Sequence, residues 1–440
     1  MAVLRGVFMA LIGLLKPSGP KHSNQRGLSL EAFGPIVRRM SEIVFVLGAG
    51  ASVHAGAPVM ATFLETARLL AKGITKDPWK THFGRVFDAI DNLQRVHSKA
   101  YFDIHNLEAV FTMLETARTI GKLPGFKTEQ IPEVIDSFKS VITYTLDVST
   151  QFAVIKDQNG PVEIQPSADY LRFVQLVKML LDPESEIGGV SIITFNYDIA
   201  LDFALHDAGL YPNYCLPKNE ARNTAIKLLK LHGSLNWGRV RSGEDIFAYD
   251  QLKDYAKDVA SNVINHTRAI FQVGMGVQKL IKKQRDIEVE SAPVIVPPGF
   301  YKEEHHETLK DVWRAAAEEL AEAEDIIVIG FSLPTTDTFF NHLYALGTEG
   351  ASSIRKFWVL NPDSQGVVEA RFRAMLGFGA SSHYFPLKFD LAVNELALQY
   401  YGPRSGSGLR REFGEIPFFG PDGYAKRPIR SSQVRYSPVT

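Results

Sequence analysis

The 440-residue chain contains a single cysteine, Cys215. One thiol can form neither a disulfide within the chain nor an all-cysteine zinc site, and such scarcity is typical of proteins from a reducing compartment. The sequence also lacks any apolar stretch close to the roughly 20 residues that span a bilayer. The apolar segment 7–15 ends at Lys16-Pro17 without a small-residue cleavage site, which disfavours a secretory signal. We therefore expect a cytoplasmic protein without a membrane segment.

The chain has no marked excess of charge of either sign, because its formal net charge is −1. Nucleic-acid-binding proteins usually carry a basic excess, so we expect no nucleic-acid partner. The distribution is uneven, however. Residues 1–40 hold six Lys and Arg against one acidic residue, and residues 401–440 hold seven against three. We interpret 1–40 as an unstructured basic leader and 401–440 as a basic tail rich in Gly, Pro and Ser.

Continuous apolar runs predict strands that are buried on both faces. Amphipathic helical patterns lie between these runs, for example just before and just after residues 326–329. This alternation predicts an α/β fold with a doubly wound, mainly parallel Rossmann-like sheet. The runs are Ile43–Leu47, Val190–Thr194, 226–231, 326–329 and Lys356–Leu360, with 294–296 as a further candidate.

About 140 residues of mainly helical periodicity separate the first apolar run from the second. Structureless connections of that length are rare in compact domains. We therefore predict a helical insertion at 61–186 and a second, more polar insertion at 238–291, both within one domain that spans residues 41–400.

The first run ends in a glycine-rich turn, residues 48–52, with the sequence GAGAS. Glycine at a strand end lets the backbone turn tightly and lets a diphosphate approach the amides. A helix directly after the turn would offer its positive end to the phosphates. The standard dinucleotide motif has a third glycine where this chain has Val53. From this turn alone, a nucleotide site and a tight strand–helix connection both stay open.

Two other runs are followed by polar side chains, Asn196 and Asp198 after one and His232 after the next. In open α/β sheets, ligands bind outside the carboxyl ends of the strands, where these residues would lie. Asn and Asp also favour helix N-caps, so a capping role ahead of Ile199 remains an alternative for the first pair.

These segments, together with residues 330–332 (GFS) and Asn361, resemble the NAD-site motifs of the sirtuin superfamily in type and order. Residues 56–58 (GAP) resemble the sirtuin Gly-Ile-Pro segment. The resemblance covers residues 41–375 and implies that 41–400 is an NAD-binding domain. It implies that Asn196 contacts the nicotinamide ribose and that His232 is the base. The cofactor-binding residues it implies are Gly48, Ala49, Gly50, Ser52, Asp198, Gly330, Ser332 and Asn361.

The chain departs from the sirtuin deacylases in two respects. It lacks their four-cysteine zinc module, and residues 59–63 (VMATF) replace their Asp-Phe-Arg-like run. With residues 106–111 (NLEAVF), this combination is similar to the zinc-free, sirtuin-like NAD hydrolases of bacterial antiphage defence. The resemblance implies that NAD is the substrate, that no metal is needed, and that activity depletes NAD in infected cells. Such activity needs restraint, so the expected partners are further copies of the chain and a phage-derived or host regulatory protein.

Cleavage between ribose and nicotinamide passes through an oxocarbenium-like centre. An imidazole such as that of His232 titrates near neutral pH and can accept a proton, while the Asn196 amide can orient the ribose and water. Two alternatives remain open. The chain could be an NAD-dependent protein deacylase, which would need a groove for an extended peptide. It could also be a non-catalytic sensor of NAD or ADP-ribose.

Overall fold

The computed structural model describes residues 42–96, 103–156, 162–182, 188–217, 225–241, 243–261, 268–296, 303–335, 338–349, 353–377, 380–401, 418–419 and 425–426. The predicted leader at 1–40 and nearly all of the predicted tail at 401–440 lie outside these ranges. None of the helices in these ranges is long and apolar enough to cross a membrane.

The strands of the described residues are β1 (Ile43–Leu47), β2 (Gln151–Lys156), β3 (Val162–Gln165), β4 (Val190–Thr194), β5 (Tyr211–Asn213), β6 (Ala225–Lys230), β7 (Trp237–Arg239), β8 (Ile246–Ala248), β9 (Arg268–Ile270), β10 (Asp325–Ile329), β11 (Lys356–Leu360), β12 (His383–Phe385), β13 (Phe418–Phe419) and β14 (Ala425–Lys426). The helices are α1 (Met60–Ala71), α2 (Trp79–Val96), α3 (Leu107–Ile120), α4 (Ile131–Ser149), α5 (Ala168–Leu180), α6 (Ala200–Asp207), α7 (Leu252–Ser261), α8 (Val273–Arg285), α9 (Glu303–Glu322), α10 (Thr338–Gly347), α11 (Val367–Met375) and α12 (Phe389–Tyr401).

Seven strands form one parallel sheet in the order β12-β11-β10-β1-β4-β6-β5. The chain builds outward from β1 to β4 and β6 on one side, then returns to place β10, β11 and β12 on the other. The sequence-based prediction of a doubly wound, Rossmann-like α/β fold is confirmed. The strand order reverses between β1 and β10, and ligands of such sheets bind in the crevice at this switch point.

Strands β1, β4 and β10 are buried along their whole length, because helices cover both faces of a parallel sheet. The five principal apolar runs are confirmed as strands. The sixth candidate, 294–296, is wrong as a strand of the sheet. Its residues pair instead with the loop after β6: Ile295 forms an isolated bridge to Gly233, and Val296 N donates to the carbonyl oxygen of His232 at 2.7 Å.

Buried apolar side chains form two clusters. The first surrounds the large sheet, and the second lies among α1–α4, α7 and α8. Helix α6 contributes to both clusters, with Leu201 in the first and Phe203 in the second. Helix α5 belongs to the sheet cluster, because Phe173 packs edge-on against Phe45 of β1 with ring centroids 5.2 Å apart. The bounds of the helical insertion, 61–186, stay a prediction, and α5 within that range packs on the sheet.

Candidate functional site

The turn after β1 packs directly against the turn after β10. Gly50 N donates to the carbonyl oxygen of Gly330 at 3.0 Å. A Cβ built on Gly48 would lie 2.4 Å from the Cα of Phe331, and one on Gly50 would lie 2.9 Å from the Cα of Gly330. Gly330 itself has a φ of +66°, a conformation that favours glycine. The backbones at the switch point can approach this closely only because all three positions are glycine.

A helix does not follow this turn directly, so that part of the sequence-based prediction is wrong. Two short 3₁₀ turns, Ala49–Ala51 and Val53–Ala55, come first, and α1 begins only at Met60. Gly56, at a φ of +92°, ends the second turn, and Pro58 disfavours helical backbone in the residue before it. Phosphate contacts by residues 48–52 stay a prediction, and the amide of Gly50 is already bonded to Gly330.

The side chain of Asn196 joins the end of β4 to the glycine turn. Its Nδ2 donates to the carbonyl oxygen of Gly48 and to the hydroxyl of Ser52, each at 3.0 Å. A main-chain carbonyl only accepts, so this contact fixes which end of the amide is nitrogen. Both Nδ2 protons are thereby used. The Oδ1 atom remains to accept a hydrogen bond from a bound molecule or water.

Tyr170 of α5 completes this arrangement. Its hydroxyl shares a hydrogen bond of 2.7 Å with the hydroxyl of Ser52, and its ring is buried. Burial raises the pKa of the Tyr170 phenol well above its usual value, so the phenol stays neutral. The glycine turn, the end of β4 and the first turn of α5 are therefore joined by one chain of hydrogen bonds that passes through Asn196, Ser52 and Tyr170.

Asp198 lies two residues beyond Asn196 and is buried. Its Oδ1 accepts from Ala200 N at 3.0 Å, at the first turn of α6, so the carboxylate contributes to capping that helix. Burial raises the pKa of Asp198, and the neighbouring ammonium of Lys230 opposes that shift. Lys230 also donates to the carbonyl oxygen of Asp198 at 2.7 Å. The capping interpretation of Asp198 therefore has a structural basis, while contact with a nucleotide stays a prediction.

His232 lies in the loop after β6, and its imidazole contacts two aromatic rings. The ring of Phe195 lies edge-on with centroids 5.1 Å apart, and that of Tyr197 lies nearly parallel at 6.0 Å. These residues flank Asn196 in the chain. Their two ring contacts place His232 beside the Asn196 segment, residues 195–198.

The same segment is anchored toward β10. Phe195 stacks on Phe331 with ring centroids 4.2 Å apart and planes 8° from parallel, and both rings meet Phe340 edge-on. The aromatic cluster thus ties the carboxyl ends of β4 and β10 together across β1. This packing gives the backbone at the adjacent Asn196 a rigid support.

The two remaining positions with an expected nucleotide contact lie on the β10–β11 side. Asn361, after β11, is buried, and its Nδ2 donates to the carbonyl oxygen of Phe331 at 3.4 Å. Its Oδ1 accepts from Asp363 N at 3.0 Å. Ser332 is exposed, and its carbonyl oxygen accepts from Arg371. Asn361 is therefore joined to the turn after β10, whereas Ser332 lies at its rim.

A small cavity of about 40 Å³ opens beside Asn196. Its lining comes from the glycine turn, the segment before α1, the Asn196 segment, the starts of α1 and α3 and the end of α4: Ala49, Ala57, Pro58, Met60, Phe63, Leu107, Leu146, Phe195, Asn196, Tyr197 and Asp198. Water fits in such a volume, whereas a protein cavity that binds benzene measures about 150 Å³. In this conformation the volume of the cavity is smaller than an aromatic ring needs.

The arrangement offers a fixed amide acceptor, a buried carboxylate and an imidazole at the carboxyl ends of β4 and β6. Such groups can orient a hydroxyl or water and accept a proton. Within the described ranges, no group of three or more His, Cys, Asp or Glu side chains is arranged to hold a metal ion.

Sequence reasoning missed two residues of this site. Tyr170 lies 118 positions from its partner Ser52 and carries no local motif. Lys230 did carry a signal, because it is a charged residue directly after two leucines at the end of a strand in a parallel sheet, where burial is expected.

No protein-family model and no curated protein sequence matches the chain. Solved structures with a similar architecture include Sir2Tm bound to a propionylated peptide, at 14% identity and a TM-score of 0.35 over 82% of this chain and 94% of that one. A Sir2 homologue in complex with NAD has 15% identity and a TM-score of 0.33 over 82% and 90%. A mutant Sir2 homologue in complex with ADP-ribose has 14% identity and a TM-score of 0.34 over 82% and 92%.

Proposed function

We propose that the chain hydrolyses NAD to ADP-ribose and nicotinamide, with Asn196 and His232 at the reacting centre. The observation that carries the proposal is the fixed orientation of the Asn196 amide. Gly48 and Ser52 hold its Nδ2, and Asn196 lines the small cavity together with apolar side chains and Asp198. Apolar walls with a few placed polar groups are typical of small-molecule sites, and in this proposal the cavity widens to take the nicotinamide ring.

The reaction needs little acid catalysis, because nicotinamide leaves as a neutral molecule from a cationic pyridinium. The site must hold the ribose, bury the ring and deliver water to C1′, where positive charge develops. In this proposal Asn196 Oδ1 accepts from the ribose or the attacking water, and His232 accepts the proton that the water loses. Gly48, Ala49, Gly50, Ser52, Gly330, Ser332 and Asn361 would hold the diphosphate and the adenine ribose.

We further propose that the enzyme is a cytoplasmic antiphage effector of the zinc-free, sirtuin-like type. The single cysteine supports the zinc-free assignment, since it cannot supply a four-cysteine module. An enzyme that destroys NAD must be restrained in healthy cells. In this proposal the site opens on activation, when α1 and α3, whose first residues line the small cavity, move apart. The proposed partners are further copies of the chain and a phage-derived or host regulatory protein.

The purified chain incubated with NAD, with and without an acetylated peptide, tests the reaction. Equal amounts of nicotinamide and ADP-ribose, released without peptide, are the expected result. Release that depends on the peptide would identify a deacylase instead. Tight retention of NAD without nicotinamide would identify a sensor.

The biological role needs a separate measurement in cells. Bacteria that express the chain should lose NAD after phage infection and keep it without infection. The Asn196→Ala variant provides the control in the same cells. Equal NAD levels in infected cells with parent and variant would contradict the antiphage role.

A further inference from the structure

Lys230, the last residue of β6, is buried with only 1% of its surface exposed. Its ammonium donates to Asp202 Oδ2 at 2.9 Å and to the carbonyl oxygen of Asp198 at 2.7 Å. A buried ammonium is retained only where anions and acceptors compensate its lost hydration. Because replacement of a buried ion pair by apolar side chains is often neutral or stabilising, the burial of Lys230 and Asp202 is weak evidence for a role in stability alone.

Asp202 extends the contact into a buried hydrogen-bond network. The hydroxyl of Tyr214 donates to Asp202 Oδ1 at 2.7 Å, and Asn236 Nδ2 donates to the Tyr214 hydroxyl at 3.1 Å. Ser234 Oγ donates in turn to Asn236 Oδ1 at 2.6 Å. The network joins α6, the segment after β5 and the loop after β6. Buried networks of this kind hold one arrangement of the backbone when every member is satisfied.

The bond between Lys230 and the main chain of Asp198 links the two strand ends that carry the proposed reacting groups. Lys230 lies two residues before His232, and Asp198 lies two residues after Asn196. A second link runs in parallel, because Leu235 N donates to the carbonyl oxygen of Tyr197 at 3.0 Å. Displacement by about 1 Å at a reacting centre can cost roughly 10²-fold in rate.

We infer that Lys230 is a positioning residue of this site: with Asp202, its ammonium sets the spacing between the Asn196 and His232 segments. The catalytic part of this inference rests on the proposed function. The structural part, which concerns the order of the two segments, can be measured without any reaction.

The chain offers a matched control on the same strand. Lys227 of β6 forms an ion pair with Glu319 of α9, and the glutamate is fully buried. This pair is similar in chemistry to Lys230–Asp202 but lies three residues farther from the strand end. The Lys227 side chain is partly exposed, so loss of this pair perturbs one buried carboxylate and its ammonium partner outside the Asn196 and His232 segments.

The test uses two double variants, Lys230→Met with Asp202→Leu, and Lys227→Met with Glu319→Leu. Replacement of both members by apolar side chains avoids an unpaired buried charge and is often neutral for folding. Thermal unfolding of both variants checks that they fold. For the first variant we expect kcat for nicotinamide release to fall about 10–100-fold, with little change in KM for NAD. For the second we expect the parent kcat. An equal kcat in the two variants would overturn the inference.

Hydrogen exchange separates this inference from the proposed function. The amides of residues 196–200 and 231–235 should exchange faster in the Lys230/Asp202 variant than in the parent, and at the parent rate in the Lys227/Glu319 variant. Unchanged exchange in the Lys230/Asp202 variant would overturn the positioning role, whatever the parent does with NAD. A parent that releases no nicotinamide would overturn the proposed function, and the exchange result would still decide the role of Lys230.

Discussion

Asn196 Nδ2 donates to the carbonyl oxygen of Gly48 across 3.0 Å and so joins the ends of β4 and β1. The acceptor belongs to the glycine turn, and the donor belongs to the segment whose neighbours contact His232. One hydrogen bond therefore relates the expected diphosphate region to the expected reacting centre. Its direction also determines which atom of the Asn196 amide can meet a substrate.

Replacement of Asn196 by alanine should lower kcat for nicotinamide release by about 10²-fold or more, because the oriented acceptor beside the ribose is lost. The fold should persist, since Ser52 keeps its bond to Tyr170. Nicotinamide release measures the change in kcat, and circular dichroism measures whether the fold persists. Asn92→Ala on α2, which removes an amide far from the site, should have the parent rate. Equal rates for both variants would remove Asn196 from the mechanism.

His232→Ala should lower turnover by roughly 10²–10⁴-fold, the usual value of a positioned base. That loss corresponds to about 3–5 kcal/mol in barrier height. His232→Phe distinguishes chemistry from packing, because phenylalanine keeps the contacts with Phe195 and Tyr197 but cannot accept a proton. We expect the Phe variant to be as slow as the Ala variant. Parent-like nicotinamide release by the Phe variant would show that the ring only supports its neighbours.

Gly48→Ala should destabilise the protein, because the added Cβ would lie 2.4 Å from the Cα of Phe331 and 2.7 Å from the carbonyl oxygen of Gly330. Overpacking of this kind costs about 1–3 kcal/mol, and more where the backbone must move. Gly84→Ala is the control, since its Cβ would meet nothing within 4 Å on the exposed side of α2. That variant should gain roughly 0.5–1 kcal/mol from helix propensity. Equal unfolding temperatures for Gly48→Ala and Gly84→Ala would contradict the close approach of the turns after β1 and β10.

Asp147 should make stability depend on pH. Burial raises the pKa of its carboxyl to about 7, although Gly274 N and Met275 N both donate to it at the start of α8. The raised folded-state pKa favours the protonated form. The stability that Asp147 contributes is therefore fully present below about pH 4 and is lost as pH rises to 7.

The Asp147→Asn variant tests this dependence, because the amide stays neutral at every pH. The two backbone amides donate to different carboxylate oxygens, so the single Asn oxygen keeps one of the two bonds and the variant carries an offset that does not depend on pH. Relative to the parent, its free energy of unfolding should rise by at most about 4 kcal/mol from pH 4 to above pH 7. Urea unfolding at several pH values measures the difference. Asp136→Asn, at an exposed position of the same helix, should show no such trend. A difference between Asp147→Asn and parent that is constant with pH would contradict the assignment.

The sheet and the polar strand ends could be predicted from sequence because their signals are local. Strand β1 is apolar at every position, β10 at every position but one and β4 at every position but two, as expected for burial on both faces. Asn196 and His232 stand just beyond such strands, so their place at one edge follows from parallel pairing. A short apolar run carries no sign of its partner, and residues 294–296 accordingly pair with a loop.

Long-range contacts could not be predicted in this way. Tyr170 meets Ser52 only because α5 packs against β1, and nothing near either residue encodes that approach. The sequence also does not predict the 3₁₀ turns after the glycine turn, where Gly56 ends the second turn at a positive φ and Pro58 disfavours helical backbone in the residue before it. The site thus combines groups placed by the strands with groups placed by the packing of helices.

The structure of the chain with bound ADP-ribose is the most direct measurement of the central claim. The account predicts that Asn196 Oδ1 and the His232 imidazole both lie within about 4 Å of the C1′ carbon or its hydroxyl groups, the distance of a near-attack arrangement. The claim would be contradicted if the terminal ribose bound elsewhere, or if the two side chains faced different cavities around it.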